Sequence, residues 1–302
     1  MELLPIYEKM GILFFLILVG FLAAKGRVLP EGSNRVLSQL VIFITNPCTV
    51  LYSALSGERL LSNGQVLLLT SIAVGAFGVM ILLGRLLPML LRCPEKDRNL
   101  YRFLCTFSNM GFLGFPVVEA VFGPDAVFYA AIFNLVFQLV VYTYGVSLFR
   151  PGERLEPKLL LSPMIFASLL AYACYLTGLR VPAPVTEALK TVSNVNSPLC
   201  MLAIGIALAG VPLREVFGNW RLYVIALVRQ LLLPLVLWLA LRSFVTEPLV
   251  LGVTVVICAM PAATLTVLFS AKYGGNEKLA AAGVFLTTLL SLGTIPLLTA
   301  LL

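Results

Sequence analysis

The chain contains no histidine. That removes an imidazole base, imidazole metal ligands and an imidazole proton relay together. Charge is scarce: 12% of the 302 residues are charged, against about a quarter in an ordinary soluble domain. No aspartate lies in the middle of an apolar run. No G-x-x-x-x-G-K-[ST] loop is present, so nothing marks nucleotide hydrolysis as an energy source. The six cysteines (Cys48, Cys93, Cys105, Cys174, Cys200, Cys258) show no zinc or redox spacing and read as small buried hydrophobes. No cofactor or metal motif is present. An intramembrane enzyme needs a nucleophile–base pair, a carboxylate pair or metal ligands within its spans, and these ingredients are missing.

What fills the chain is apolar sequence. It is 60% hydrophobic, with a mean hydropathy of +1.01. Spanning a bilayer takes roughly 17–25 residues per helix. Ten segments qualify, near 7–24, 35–55, 65–91, 99–121, 126–149, 159–178, 186–210, 220–242, 248–271 and 278–301. The expectation is an all-α integral membrane protein with little outside its spans. The first run has Glu2 and Glu8 ahead of it and Lys25 and Arg27 after it, the reverse of a signal peptide, and reads as a retained span.

Orientation follows from Lys and Arg. Loops after odd-numbered spans hold Lys25, Arg27 and Arg35; Arg92, Lys96, Arg98 and Arg102; Arg150, Arg154 and Lys158; Arg214 and Arg221; Lys272 and Lys278. The opposite side holds Lys9, Arg59, Arg180, Lys190 and Arg242. The excess places the odd loops in the cytoplasm and both termini outside a plasma or inner membrane. It also accounts for the net charge of +7 without a nucleic-acid partner.

The two halves echo each other. Gly26, Pro30 and Leu37 recur as Gly178, Pro182 and Leu189, at an offset of 152. Asn46-Pro47, Phe122-Gly123 and Ala130-Ala131 are echoed by Ser197-Pro198, Tyr273-Gly274 and Ala281-Ala282, at 151. Residues 1–149 and 159–302 therefore read as two five-helix repeats around a charged linker at 150–158. Five is odd, so the second repeat enters the membrane from the other side. Inverted repeats with paired broken helices are the arrangement of secondary transporters.

Both breaks can be located. In 105–123, Asn109, Gly111, Gly114 and Pro116 fall within eight residues of an apolar span, and a span so built fails as a helix. Met260, Pro261 and Thr264 interrupt the ninth span among small residues. Non-helical backbone at membrane depth survives only where protein or a wet cavity surrounds it, so helices four and nine are expected to cross at a site. Freed carbonyls and amides at the crossing are expected to face a ligand, and half-helix N-termini, with their positive partial charge, favour an anion.

The string Asn109-Met110-Gly111-Phe112-Leu113-Gly114-Phe115-Pro116 resembles the auxin efflux carrier family, which includes plant exporters and bacterial carriers of malonate, malate and similar anions. Asn46-Pro47 and Met260-Pro261 support the resemblance, which covers the whole chain. It implies the fold of the sodium/bile acid symporters, with spans one, two, six and seven as a scaffold. The other six spans would form an elevator-like moving domain, and homodimers would form through the scaffold. The linker is short, unlike the long loop of many plant relatives. Relatives that use sodium carry acidic or amide ligands at the crossing, and this chain has no mid-span aspartate.

The expected activity is secondary transport of a small mono- or dicarboxylate. A passive channel, a uniporter or a transporter-like sensor shares the same features. Asn109 either caps its own broken helix or contacts the substrate. Asn46 either satisfies carbonyls freed by Pro47 or faces the crossing. Asn134 and Gln138, four apart, share one helical face. Asn196, beside Ser197-Pro198, is favoured over Asn194. Gly111 and Gly114 permit close backbone approach, while Pro116 and Pro261 shape the crossing. Arg229 lies about 12 Å along a helix from Arg221, deep in the eighth span. It attracts an anion, snorkels or pairs with carbonyls. Glu119 is the acidic residue nearest the break and the candidate proton site.

Overall fold

The computed structural model describes residues 3–30, 32–55, 60–150, 162–179, 181–211 and 216–301. The linker residues 151–158, the start of the sixth span at 159–161, and Glu2, Arg59, Arg180 and Arg214 lie outside the described residues. Among the described residues the chain is helical, with one isolated antiparallel bridge.

Seven helices are long and apolar enough to cross a membrane. They are α1 (Leu3–Lys25), α2 (Ser33–Leu55), α3 (Asn63–Leu90), α6 (Pro124–Phe149), α8 (Ala183–Ala209), α9 (Trp220–Leu241) and α12 (Glu277–Thr299). The expected sixth span corresponds to the shorter α7 (Pro163–Thr177). The fourth and ninth are each split, into α4 (Arg98–Thr106) and α5 (Met110–Phe122), and into α10 (Pro248–Cys258) and α11 (Leu265–Tyr273).

The break in the fourth span is displaced from its expected position. Extended backbone falls at residues 107–109, ahead of the Gly and Pro string. Gly111 and Gly114 lie within a π-helical turn, Met110–Gly114, and Pro116 occupies the first turn of the α-helix after it. Proline is tolerated there because first-turn amides lack intrahelical partners in any case. The same device recurs. π-Helical turns at Val41–Thr45 and Val228–Leu232 end two residues before Pro47 and Pro234. The wider turn takes up the missing proline donor without ending the helix.

The chain divides into two compact units, each drawing on both halves of the sequence. The first comprises residues 1–70, 111–135 and 161–210. Its main seam is α1 against α8. A Cβ on Gly20 would strike the Leu202 backbone, and one on Gly205 would strike the Ile17 carbonyl and the Phe21 amide. Two glycines thus let two main chains touch, as expected where apolar burial gives no advantage over lipid. A second anchor is Tyr175, whose hydroxyl donates to the Leu61 carbonyl at 2.8 Å while its ring stacks on Phe128 at 4.3 Å.

The second unit comprises residues 71–110, 136–160 and 211–302. Phe103, Phe107, Phe149 and Phe269 form an aromatic cluster beside α4, with Phe103 and Phe107 at 4.4 Å. Arg221 closes the C-terminus of α3 by donating from Nε to the Leu91 carbonyl (3.0 Å) and from Nη2 to that of Arg92 (3.3 Å). A cation suits the negative end of the helix dipole. It also steadies Arg92, which holds the left-handed φ of 48°.

The α1–α8 seam yields a stability prediction. Gly205→Leu overpacks it and lowers the melting temperature of the purified protein by several degrees, a cost of about 1–3 kcal/mol. Gly75→Ala, where an added Cβ meets nothing within 4 Å, leaves it unchanged or slightly raised. Thermal unfolding followed by fluorescence checks both.

Candidate functional site

The two broken spans meet in the second unit. The extended residues 107–109 pair antiparallel with the segment around Ala262. The Asn109 amide donates to the Pro261 carbonyl at 2.7 Å, and the Ala263 amide donates to the Phe107 carbonyl at 3.0 Å. The Ala262 amide donates to Thr287 Oγ1 of α12 at 3.1 Å. Two helices interrupted inside an apolar protein thus satisfy each other's main chains. Of the main-chain groups expected to face a ligand, these are engaged by the protein itself.

Arg229 stands at this crossing, fully buried. It occupies the π-helical turn Val228–Leu232 of α9. Its Nη1 donates to the Leu104 carbonyl at the end of α4 (3.2 Å). Its Nη2 donates to Ser108 Oγ (2.5 Å) and to the Pro261 carbonyl (3.3 Å). One guanidinium therefore ties both arms of the crossing together, and Nε has no partner. Among the described residues no carboxylate is paired with Arg229. Of the three roles open to it, carbonyl pairing is the one its geometry displays; a fully buried group does not snorkel.

Asn109 is buried, with its side-chain Nδ2 lacking any hydrogen-bond partner. A buried amide donor left unmade costs about 1–3 kcal/mol, so this one calls for an explanation. Met260 and Pro261 are buried in the opposing strand, and Thr264 is half-buried ahead of α11. Gln138 is buried in α6.

In the first unit, Asn46, Gly111 and Asn134 converge. A Cβ on Gly111 would lie 3.3 Å from Asn46 Nδ2 and 3.7 Å from Asn134 Oδ1. A side chain at 111 would press on the Asn46 amide and touch that of Asn134. Asn46 Oδ1 is buried without a partner. Asn196 is buried and accepts at Oδ1 from Thr45 Oγ1 (2.6 Å), leaving its Nδ2 unpaired. Asn194 is exposed. Glu119 is half-buried and accepts at Oε2 from Ser197 Oγ at 2.7 Å. Gly114 and Pro116 are buried in α5.

Three residues at the crossing were not anticipated from sequence. Ser108 takes the shortest of the Arg229 hydrogen bonds. Gln230, also fully buried, donates from Nε2 to the Thr287 carbonyl at 2.8 Å. Thr287 links that amide to the Ala262 strand. Gln230 carried a usable signal, an amide beside an arginine in an apolar run. Ser108 and Thr287 carried none, since hydroxyls are common in membrane helices.

A profile of the membrane transport protein family matches residues 5–158 and 155–299. An uncharacterized transporter of Methanocaldococcus jannaschii is 25% identical over 299 residues, covering 95% of each chain. An uncharacterized transporter of Methanothermobacter thermautotrophicus is 26% identical over 289 residues, covering 93% of each. A candidate malonate transporter of Rhizobium meliloti is 21% identical over 296 residues, covering 93% of this chain and 91% of its own. A profile that accounts for nearly every residue, in a chain whose two interrupted membrane helices meet around a buried arginine, leaves one assignment: the chain belongs to the membrane transport protein family, that of the auxin efflux carriers.

Proposed function

We propose that the protein is a secondary carrier of a small organic anion, a mono- or dicarboxylate, working by alternating access. Ten spans form two inverted five-helix repeats, with the substrate held where spans four and nine cross. The observation that carries this reading is the crossing itself. Two interrupted helices pair through residues 107–109 and 261–263 around a buried cation that has no carboxylate partner among the described residues, and the side-chain Nδ2 of Asn109, one of the pairing residues, is unpartnered. A buried positive charge and a free donor suit an anion. The name of the Rhizobium relative supports a dicarboxylate such as malonate. Thr45 and Asn196 are joined by a hydrogen bond at a separation of 151 residues, the repeat offset itself. Residues related by a twofold axis touch where that axis passes, which supports the inverted repeat.

In this scheme Asn109 binds a substrate carboxylate, Arg229 supplies charge from behind the crossing, and Met260, Pro261 and Thr264 shape the opposing wall. Asn46, Gly111, Asn134, Asn196 and Gln138 are the further candidate substrate contacts of this scheme. Glu119 is the proton site. The protein works as a homodimer in a plasma or inner membrane, with both termini outside.

Reconstitution tests the scheme. Liposomes holding the purified protein take up labelled malonate, malate or indole acetate, and saturable uptake with counterflow marks a carrier rather than a channel. Asn109→Ala removes a hydrogen bond to a charged group, worth about 1.5–3 kcal/mol, and so weakens substrate affinity by about ten- to a hundredfold. Unchanged uptake by a well-folded Asn109→Ala protein would remove the crossing from the substrate path.

Proton coupling is checked separately. Glu119→Gln is neutral at every pH yet keeps an acceptor for Ser197. It abolishes the response of uptake to an imposed pH gradient while substrate exchange at equal pH continues. A variant that still follows the pH gradient moves the proton site elsewhere.

A further inference from the structure

We infer that Arg229 is the resident cation of the crossing, filling with a fixed side-chain charge the place that a coupling metal ion would otherwise take. Interrupted membrane helices expose two kinds of group. Half-helix N-termini and freed amides suit anions, while unwound carbonyls and helix C-termini coordinate sodium. In this protein the second set is occupied. The Leu104 carbonyl belongs to the last turn of α4, the Pro261 carbonyl to the unwound strand of the ninth span, and Ser108 Oγ to the unwound strand of the fourth. Three oxygens from two arms, two of them main-chain, are the donor set of a hard monovalent cation. All three accept from one guanidinium, at 2.5–3.3 Å.

Burial makes the charge itself part of the design. Arg229 is fully buried, and among the described residues no carboxylate pairs with it. A clamp needing hydrogen bonds alone would do with an amide, which removes the desolvation cost of a buried ion. The neighbouring Gln230, equally buried, holds Thr287 in that neutral way. The ionised group stands where oxygens from both broken helices accept from it. The consequence is functional: the crossing binds its anion against a charge already present, so transport needs no sodium.

This inference rests on the carrier reading for its consequence, but its central test does not. Thermal unfolding of the purified full-length protein is measured in sodium, lithium and N-methylglucamine chlorides at about 0.1 M, so that screening is matched throughout. Wild-type protein unfolds at the same temperature in all three. Arg229→Ala unfolds earlier and recovers several degrees in sodium or lithium relative to N-methylglucamine, because a small cation now binds the folded state. Arg229→Lys keeps the charge and is insensitive to the salt. Arg229→Gln retains donors without charge and behaves like Arg229→Ala. Where the uncharged variants yield no folded protein and Arg229→Lys does, the charge is shown to be what the site requires.

Wild-type stability that depends on sodium overturns the inference. So does Arg229→Gln matching wild type in every salt, or Arg229→Ala recovering equally in N-methylglucamine. In liposomes the same reading gives sodium-independent uptake by wild type and uptake by Arg229→Ala that rises about tenfold with sodium. Absence of any uptake by wild type counts against the carrier reading and leaves the unfolding result to decide the role of Arg229.

Discussion

An unmade main-chain hydrogen bond in hydrocarbon costs several kcal/mol, and everything at the crossing answers to that constraint. Two helices are interrupted, at residues 107–109 and 259–264, which frees several amides and carbonyls at once. Pro261 reduces the problem by having no amide hydrogen. Its carbonyl is served twice, by the Asn109 amide and by Arg229. The Phe107 carbonyl is met by the Ala263 amide, the Leu104 carbonyl by Arg229, and the Ala262 amide by Thr287. These bonds engage main-chain groups of both arms, and unmet hydrogen-bonding capacity at the crossing is found in side chains as well. Among the described residues, Asn109 Nδ2, Arg229 Nε and Gln230 Oε1 are buried there without a partner.

Helix geometry explains how a cation reaches this place. A regular α-helix repeats its faces every 3.6 residues, so an apolar span has little freedom in where a single polar pair points. The π-helical turn Val228–Leu232 inserts a wider turn around Arg229 and Gln230. The two adjacent side chains then serve different partners, Arg229 the strands of spans four and nine, and Gln230 the Thr287 carbonyl of α12. Pro234 follows within two residues, and its missing amide fits the turn that precedes it. The same pairing of a wide turn with a following proline sets Thr45 and Asn46 in α2 ahead of Pro47. Polar residues and prolines are thus local solutions to one another.

Much of this was legible in the sequence, because it depends on quantities a sequence displays. Apolar length located the helices, and Pro261 among small residues located the second break. The first break was misplaced by a few residues for a definite reason. Gly111, Gly114 and Pro116 weaken a regular α-helix but not a π-helical turn running into a new first turn, so the chain parts earlier, at Phe107–Asn109. Arg229 was conspicuous as a charge in an apolar run, yet its partners were not. Two of the three are main-chain carbonyls, which carry no residue signature, and they lie 125 and 32 residues away. Ser108 and Thr287 were illegible for the related reason that a hydroxyl in a membrane helix usually bonds its own preceding turn. Thr287 does that as well, to Gly283 at 2.8 Å, and accepts the Ala262 amide besides.

The choice of arginine over lysine at 229 follows from the shape of the site. Leu104 and Pro261 belong to different broken helices, and two separate nitrogens reach them. A guanidinium holds those nitrogens in one rigid plane, so bonding one carbonyl fixes the direction of the other. An ammonium is a point charge on a flexible stem and leaves the two arms free to part. Guanidinium is also the more weakly hydrated ion, which lowers the cost of keeping it where water is excluded. Position 229 therefore joins two functions that a membrane interior seldom allows in one side chain. It engages main-chain carbonyls of two interrupted helices, and it maintains a positive charge at their crossing.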